Sequence, residues 1–249
     1  MILTDKVCLI TGGTRGIGAA GAIALARAGA NVAIVGRRVD KEASDTKASI
    51  EKLGRKCLLI GADVGKPEEA TKAVERTVAE LGGIDVLVHS AGGPVNGGLL
   101  DLTPEAWYGA FDVHVHPIFH LCRAAIPHMR KKHEGVVILV SSTAGIRGIK
   151  TNVAYQTVKG AIPQLTRALA FEFAPDNIRV NCVAPGVVRT AFHASMTEAT
   201  KQFNLETRIP LKREGKPEQV ATVILELVTN DYITGETVVI DGGLTMRIA

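Results

Sequence analysis

The sequence predicts a doubly wound α/β fold: a parallel sheet of about seven strands with helices on both faces, in one domain over residues 1–249. Three observations carry that reading. Short, unbroken apolar runs rich in Val and Ile recur along the chain, helical stretches ending in glycine lie between them, and the first run leads into a glycine-rich turn. A strand whose apolar residues do not alternate with polar ones is buried on both sides, the condition of a parallel sheet between helical layers.

The elements follow in order. Val7–Ile10 forms the first strand, and the Ala-rich helix after it stops at Gly29. Val32–Val35 is the second, followed by a helix closed by Gly54. Cys57–Ile60 is the third, and Pro67 in a first-turn position opens a helix that Gly82 ends. After Ile84–Val88, Thr103-Pro104-Glu105 marks the start of a long helix, Thr103–Lys132, whose last turn carries Arg130-Lys131-Lys132, where cations suit the helix dipole. Val136–Val140, Ile178–Val183, a helix started by Pro217 and a last strand, Thr237–Ile240, complete the set. No linker, repeat or low-complexity tract divides the chain.

With 46% hydrophobic residues in 249, the chain has material for a substantial core. Its net charge of +4 comes from scattered Lys and Arg, with no basic run interleaved with aromatics, so nucleic acid is not an expected partner. Cys8, Cys57, Cys122 and Cys182 are far apart, in apolar stretches and without a CxxC pair, which reads as reduced core cysteines of a cytoplasmic protein. The N-terminus enters a strand-like run at once, so no signal peptide is expected, and no apolar run approaches membrane-spanning length.

The turn after the first strand is TGGTRGIG, Thr11 to Gly18, with glycines at 12, 16 and 18. Glycines there let a backbone approach a pyrophosphate, and the following helix offers free N–H groups and a positive dipole end. The spacing is GxxxGxG rather than GxGxxG, and a tight strand–helix turn alone can require glycine. Further on, AYQTVKG sets Tyr155 four residues before Lys159, on one helix face. A phenol beside an ammonium is either a solvated surface pair or a proton donor whose pKa a fixed positive charge lowers.

Taken together, TGxxxGxG near the N-terminus and YxxxK about 140 residues later make the chain resemble the short-chain dehydrogenase/reductase family. Other stretches match in order: GADV (Gly61–Val64), HSAGG (His89–Gly93) where the family has NNAG, VSS (Val140–Ser142), APGVVRT (Ala184–Thr190) and VVIDGG (Val238–Gly243). Within the family the chain is most similar to 3-oxoacyl-[acyl-carrier-protein] reductase-like members and to sugar and secondary alcohol dehydrogenases.

The resemblance implies a Rossmann-like domain that binds a nicotinamide dinucleotide and interconverts a ketone and a secondary alcohol. It implies that Tyr155 is the general acid or base, that Lys159 lowers the phenol pKa and holds the nicotinamide ribose, and that Ser142 orients the carbonyl. Gly12, Thr14, Gly16, Ile17 and Gly18 would cradle the pyrophosphate, and Arg15 would close on an adenosine 2′-phosphate. Asp63 and Val64 would meet the adenine, while Ser90, Ala91 and Gly92 line the cofactor, and Pro185, Gly186, Val188 and Thr190 close over the nicotinamide. Residues 187–211 stand where the family has a variable substrate lid; Phe192, His193, Met196 and Phe203 either line its pocket or pack it onto the body. The implied assembly is a homotetramer formed through the helices Thr103–Lys132 and Ala154–Ala174, with Ala124, Ala125, Ala161, Ala168 and Ala170 permitting close approach.

Two positions depart from the family pattern. His114, in FDVHVHPIF, stands where relatives carry a fourth catalytic residue, an Asn in the proton relay, and His89 replaces the first Asn of NNAG. An imidazole both donates and accepts hydrogen bonds, so a relay through His114 is compatible with the chemistry. His114, His116 and His120 also suggest a metal, but only 116 and 120 share a helix face, Pro117 interrupts, and no acidic or Cys partner is suitably spaced, so none is expected.

Cofactor choice rests on the end of the second strand. A ribose 2′-hydroxyl is usually held by a carboxylate there, a 2′-phosphate by cations. The sequence offers Gly36, Arg37 and Arg38, with no acid before Asp40, and Arg15 stands in the facing turn. NADP(H) is therefore expected over NAD(H), with Arg37 the main discriminator and Arg38 either a second contact or surface charge. A catalytically weak NADP(H)-binding regulatory protein is the alternative function, suggested by His114.

Overall fold

A computed structural model describes residues 1–194 and 196–246, apart from the side chain of His193. Seven parallel strands lie in the order β3-β2-β1-β4-β5-β6-β7. They are β1 (Val7–Thr11), β2 (Asn31–Gly36), β3 (Cys57–Gly61), β4 (Val86–His89), β5 (Gly135–Val140), β6 (Ile178–Pro185) and β7 (Thr237–Ile240). Each lies on one of the predicted apolar runs. Helices α1 (Gly16–Arg27), α2 (Lys41–Glu51) and α8 (Pro217–Thr229) supply one layer. The other holds α3 (Pro67–Leu81), α5 (His116–Lys132) and α6 (Val153–Phe173).

The unbroken apolar runs serve two cores because successive side chains leave a strand on opposite faces. On β1, Cys8 and Ile10 join the cluster with Leu25, Ile50 and Ile224, while Leu9 joins the cluster with Val74, Leu121 and Met129. β5 divides likewise, with Val136 and Ile138 on one side and Val137 and Leu139 on the other. Burying each such side chain contributes about 1.5–3 kcal/mol. All four cysteines are buried and free, and burial raises their thiol pKa values, that of Cys122 to about 12.

Two expectations need correction. The predicted long helix Thr103–Lys132 is two helices, α4 (Pro104–His114) and α5, with Val115 between them at φ −115°. Pro117 is the cause: it brings no N–H, and its ring would strike the carbonyl of residue 113 in a continuous helix. Among the alanines expected at a subunit contact, Ala125 and Ala170 are buried within the chain, at 0% and 4% exposure, and face its own core. Ala168 is exposed, as is its neighbour Phe171.

The order of strands reverses between β1 and β4, whose next neighbours are β2 and β5. At such a switch point the loops leaving two adjacent strands diverge to opposite faces and open a crevice at their C-terminal ends. Thr11 and His89, the last residues of β1 and β4, are in register there.

Candidate active site

A cleft of about 760 Å³ opens at that switch point, and it is lined by every residue the sequence reading singled out for catalysis or cofactor binding. Its floor is the loop between β1 and α1. Gly12 has φ +65°, and a Cβ there would lie 2.8 Å from the Ala91 nitrogen, while a Cβ on Gly18 would lie 2.2 Å from the Gly12 carbonyl oxygen. Only glycine fits at either place, and the backbone is left bare toward the cleft as a dinucleotide pyrophosphate requires. The glycine cradle and the cleft volume thus fit a nicotinamide dinucleotide.

At the adenosine end, Arg37 and Arg38 are exposed along the cleft wall, and among the described residues neither forms an ion pair. Arg15 is committed elsewhere than expected: it pairs with Asp40 and, at 2.9 Å, with Glu42. Asp40 also caps α2, accepting from the Ala43 N–H at 3.2 Å. The guanidinium offsets two carboxylates that would otherwise repel a phosphate. Asp63 turns inward on its loop, its carboxylate accepting from Gly65 N–H at 3.1 Å.

The chemical end is built from the ends of β5 and α6. Leaving β5, Ser142 caps the 3₁₀ turn Thr143–Gly145, its Oγ accepting from Ala144 N–H at 3.1 Å. That turn packs directly on α6: a Cβ on Gly145 would lie 2.5 Å from the Lys159 carbonyl, which accepts from Ser141 Oγ at 2.6 Å. This close approach brings Ser142 and Tyr155, the third residue of α6, to the same end of the cleft. Phe192, in the 3₁₀ turn Ala191–His193, leans on the Tyr155 ring with centroids 5.9 Å apart. His193, expected beside it, has its side chain outside the described residues.

Lys159 lies one helical turn beyond Tyr155 on α6. Its Nζ donates to the Val140 carbonyl at 2.8 Å and lies 5.8 Å from the centre of the Tyr155 ring. Burial pulls the lysine down to about 8 and pushes the tyrosine up, with the Ser142 hydroxyl the opposing influence on Tyr155. Desolvation outweighs the expected phenol–ammonium attraction and shifts both groups toward their neutral forms, but at about 8 the lysine still carries its charge at neutral pH.

His114 ends α4 and is buried, its Nε2 facing the Gly93 carbonyl at 3.0 Å and its ring edge-on to Tyr155 at 5.6 Å. Burial, then the nearby Lys159 charge, lowers it to about 3. His116 turns away to Asp112 at 2.9 Å, and no group of His, Cys, Asp or Glu among the described residues is arranged to hold a metal ion. Sequence reasoning missed Asn204 and Arg208, which line the cleft from the π-helical turn Asn204–Arg208 and are joined at 2.9 Å. They lie in the variable stretch after the helix α7 (Glu198–Phe203), where no motif marked them.

A parallel sheet with a glycine cradle at its switch point and a Ser, Tyr and Lys cluster at the far end defines a dinucleotide-dependent oxidoreductase of the Rossmann type. A family model described as enoyl-(acyl carrier protein) reductase matches residues 12–245. Dehydrogenase/reductase SDR family member 4 of Pongo abelii is 37% identical over 250 residues, 99% of this chain and 90% of that protein. The 3-oxoacyl-[acyl-carrier-protein] reductase FabG of Chlamydia muridarum is 35% identical over 245 residues, 98% of each. Among solved structures, L-sorbose reductase from Gluconobacter frateurii, complexed with NADPH and L-sorbose, superposes with a TM-score of 0.93 at 30% identity, covering both chains fully. The chain belongs to the short-chain dehydrogenase/reductase family. Members bind nicotinamide cofactors and act on small molecules, and no helix among the described residues is long and apolar enough to cross a membrane.

Proposed function

We propose that this protein is an NADP(H)-dependent oxidoreductase that interconverts a ketone and a secondary alcohol, with Tyr155 as the general acid and base. The observation that carries the reading is the convergence of Ser142, Tyr155 and Lys159 in the same cleft as the glycine cradle. The bound nicotinamide supplies or accepts the hydride. Ser142 Oγ orients the substrate oxygen, and the Tyr155 hydroxyl donates its proton to that oxygen as charge develops on it. Burial keeps the phenol protonated at neutral pH, the form a reductase needs. Lys159, fixed by Val140, supplies the cation at the ribose. Residues 187–211 form the lid over the substrate end of a single domain.

Preference for NADP(H) rests on Arg37 and Arg38, with Arg15 neutralising Asp40 and Glu42 beside them. Similarity to a reductase solved with NADPH agrees with that choice. The protein acts in the cytoplasm as a homotetramer, through α4, α5 and the exposed face of α6 that includes Phe171. The test is NADPH consumption, followed by absorbance, across a panel of ketones and sugars. Turnover of at least one carbonyl is the expected result; tight NADPH binding with no turnover of any would overturn the catalytic reading.

A further inference from the structure

The two positions that depart from the family pattern meet in the structure. His89 closes β4 and His114 closes α4, with exposures of 2% and 1%. His114 is stapled to the loop leaving β4: a Cβ on Gly92 would fall 2.6 Å from its Cε1 and 2.9 Å from its Nδ1, and Nε2 meets Gly93. His89 is in register with Leu139, next to the Val140 whose carbonyl holds Lys159 Nζ, and Nζ and the His114 ring lie 5.8 and 5.6 Å from the Tyr155 ring, so the three groups share one buried neighbourhood.

Each imidazole has one nitrogen engaged and one buried without a partner. His114 Nε2 faces a carbonyl at 3.0 Å and must donate, which leaves Nδ1 a bare acceptor. The Gly93 N–H also approaches that nitrogen, at 3.5 Å, but the carbonyl at 3.0 Å is the closer partner and sets the tautomer. His89 Nδ1 lies 2.9 Å from Thr11 Oγ1, which already accepts from Ala91 N–H at 3.3 Å. His89 Nδ1 is the one acceptor that the fully buried Thr11 hydroxyl has among the described residues, so the hydroxyl proton goes to Nδ1 and His89 carries its own proton on Nε2. The unpartnered atoms are one donor and one acceptor, in a site where unpaired polar groups are costly. Lys159 adds two N–H groups beyond the one given to Val140.

We propose that His89 and His114 are paired positioning residues that hold one internal water against the Lys159 ammonium: His89 Nε2–H and Nζ donate to it, and it donates to His114 Nδ1. Such a water makes three hydrogen bonds, the usual number for a buried one. By accepting from Nζ it favours the charged lysine. The other titratable groups around Nζ are Tyr155 on α6 and Cys182 on β6, and their burial keeps both neutral. The pairing rests on Lys159 belonging to the catalytic set, so its test has an arm that needs no turnover.

That arm is nitrogen NMR of the imidazoles in the substrate-free protein at pH 7. Both histidines should be neutral, with protons on Nε2, and His114→Phe should shift the His89 Nε2 signal and expose its proton to exchange, whereas His114→Asn should retain protection. An unmoved His89 signal in His114→Phe overturns the pairing, whether or not a substrate is known. The second arm is the pH profile of kcat. His114→Phe and His89→Phe should each move the basic limb down by about one pH unit, the double variant no further, and Asn at either position should restore it. Shifts that add in the double variant, or a basic limb that stays in place, also overturn it. If His89→Phe does not fold, His89→Asn combined with His114→Phe completes the cycle.

Discussion

Lys159→Met removes a buried ammonium, and the structure sets the size of the effect. Burial leaves the lysine near 8 in the folded protein against 10.5 for the free side chain. Between those values the unfolded chain binds more protons than the native one, so this lysine costs stability at neutral pH and the cost fades as pH rises toward 10.5. With 1.36 kcal/mol per pKa unit, the cost is about 3 kcal/mol at pH 7 and about 1 kcal/mol at pH 10. Loss of the Val140 hydrogen bond opposes this gain, but it applies at both pH values and largely cancels in the comparison. Urea unfolding of both proteins, without cofactor and at one protein concentration, should therefore show the parent gaining about 2 kcal/mol on the variant between pH 7 and pH 10. A stability difference that is the same at the two pH values would refute the claim that desolvation governs Lys159.

Other outcomes follow from the cofactor cleft. The parent protein should bind NADPH roughly ten- to a hundredfold more tightly than NADH, the contribution of one charge-assisted contact from Arg37, and Arg37→Asp should move the preference toward NADH. Equal affinities in the parent, measured by fluorescence titration, would remove Arg37 from that role. In Gly18→Ala the new Cβ, 2.2 Å from the Gly12 carbonyl, forces the loop to move, so NADPH affinity should fall by about tenfold or more while far-UV circular dichroism shows helix content retained. Unaltered affinity would mean that the loop backbone does not hold the pyrophosphate.

Strands were the most legible part of the chain, because residues such as Val136 to Leu139 must be apolar on both faces to serve two cores. Thr103 and Pro104 announced α4 through cap chemistry that depends only on neighbours in sequence, and Thr103 Oγ1 does accept from Ala106 N–H at 3.2 Å. The break at Val115 was harder to read, since Pro117 only weakens a helix and flanking apolar residues argued for continuity. Motif spacing brought Ser142, Tyr155 and Lys159 to one cleft, but not the direction of their electrostatics. Depth of burial decides that, and burial of Lys159 depends on Gly145 and Ser141 drawing the β5 turn onto α6. The diversion of Arg15 to Asp40 and Glu42 was equally hidden, because it depends on how α2 sits against the turn. Asn204 and Arg208 left no signal, as their place in the cleft is set by a π-helical turn that no local pattern marked.

The most direct test of the account is transfer of the proton by Tyr155. Enzyme loaded with NADPH is mixed in a stopped-flow instrument with a carbonyl that the parent protein reduces, and oxidation of the bound cofactor is followed for the parent and for Tyr155→Phe. The phenyl ring keeps its packing against Phe192 and His114 and loses only the hydroxyl. NADPH affinity should therefore be unchanged, while the oxidation rate falls by about a hundredfold or more, the lower range for loss of a general acid. Oxidation at the parent rate in Tyr155→Phe, at equal cofactor occupancy, would contradict the central claim.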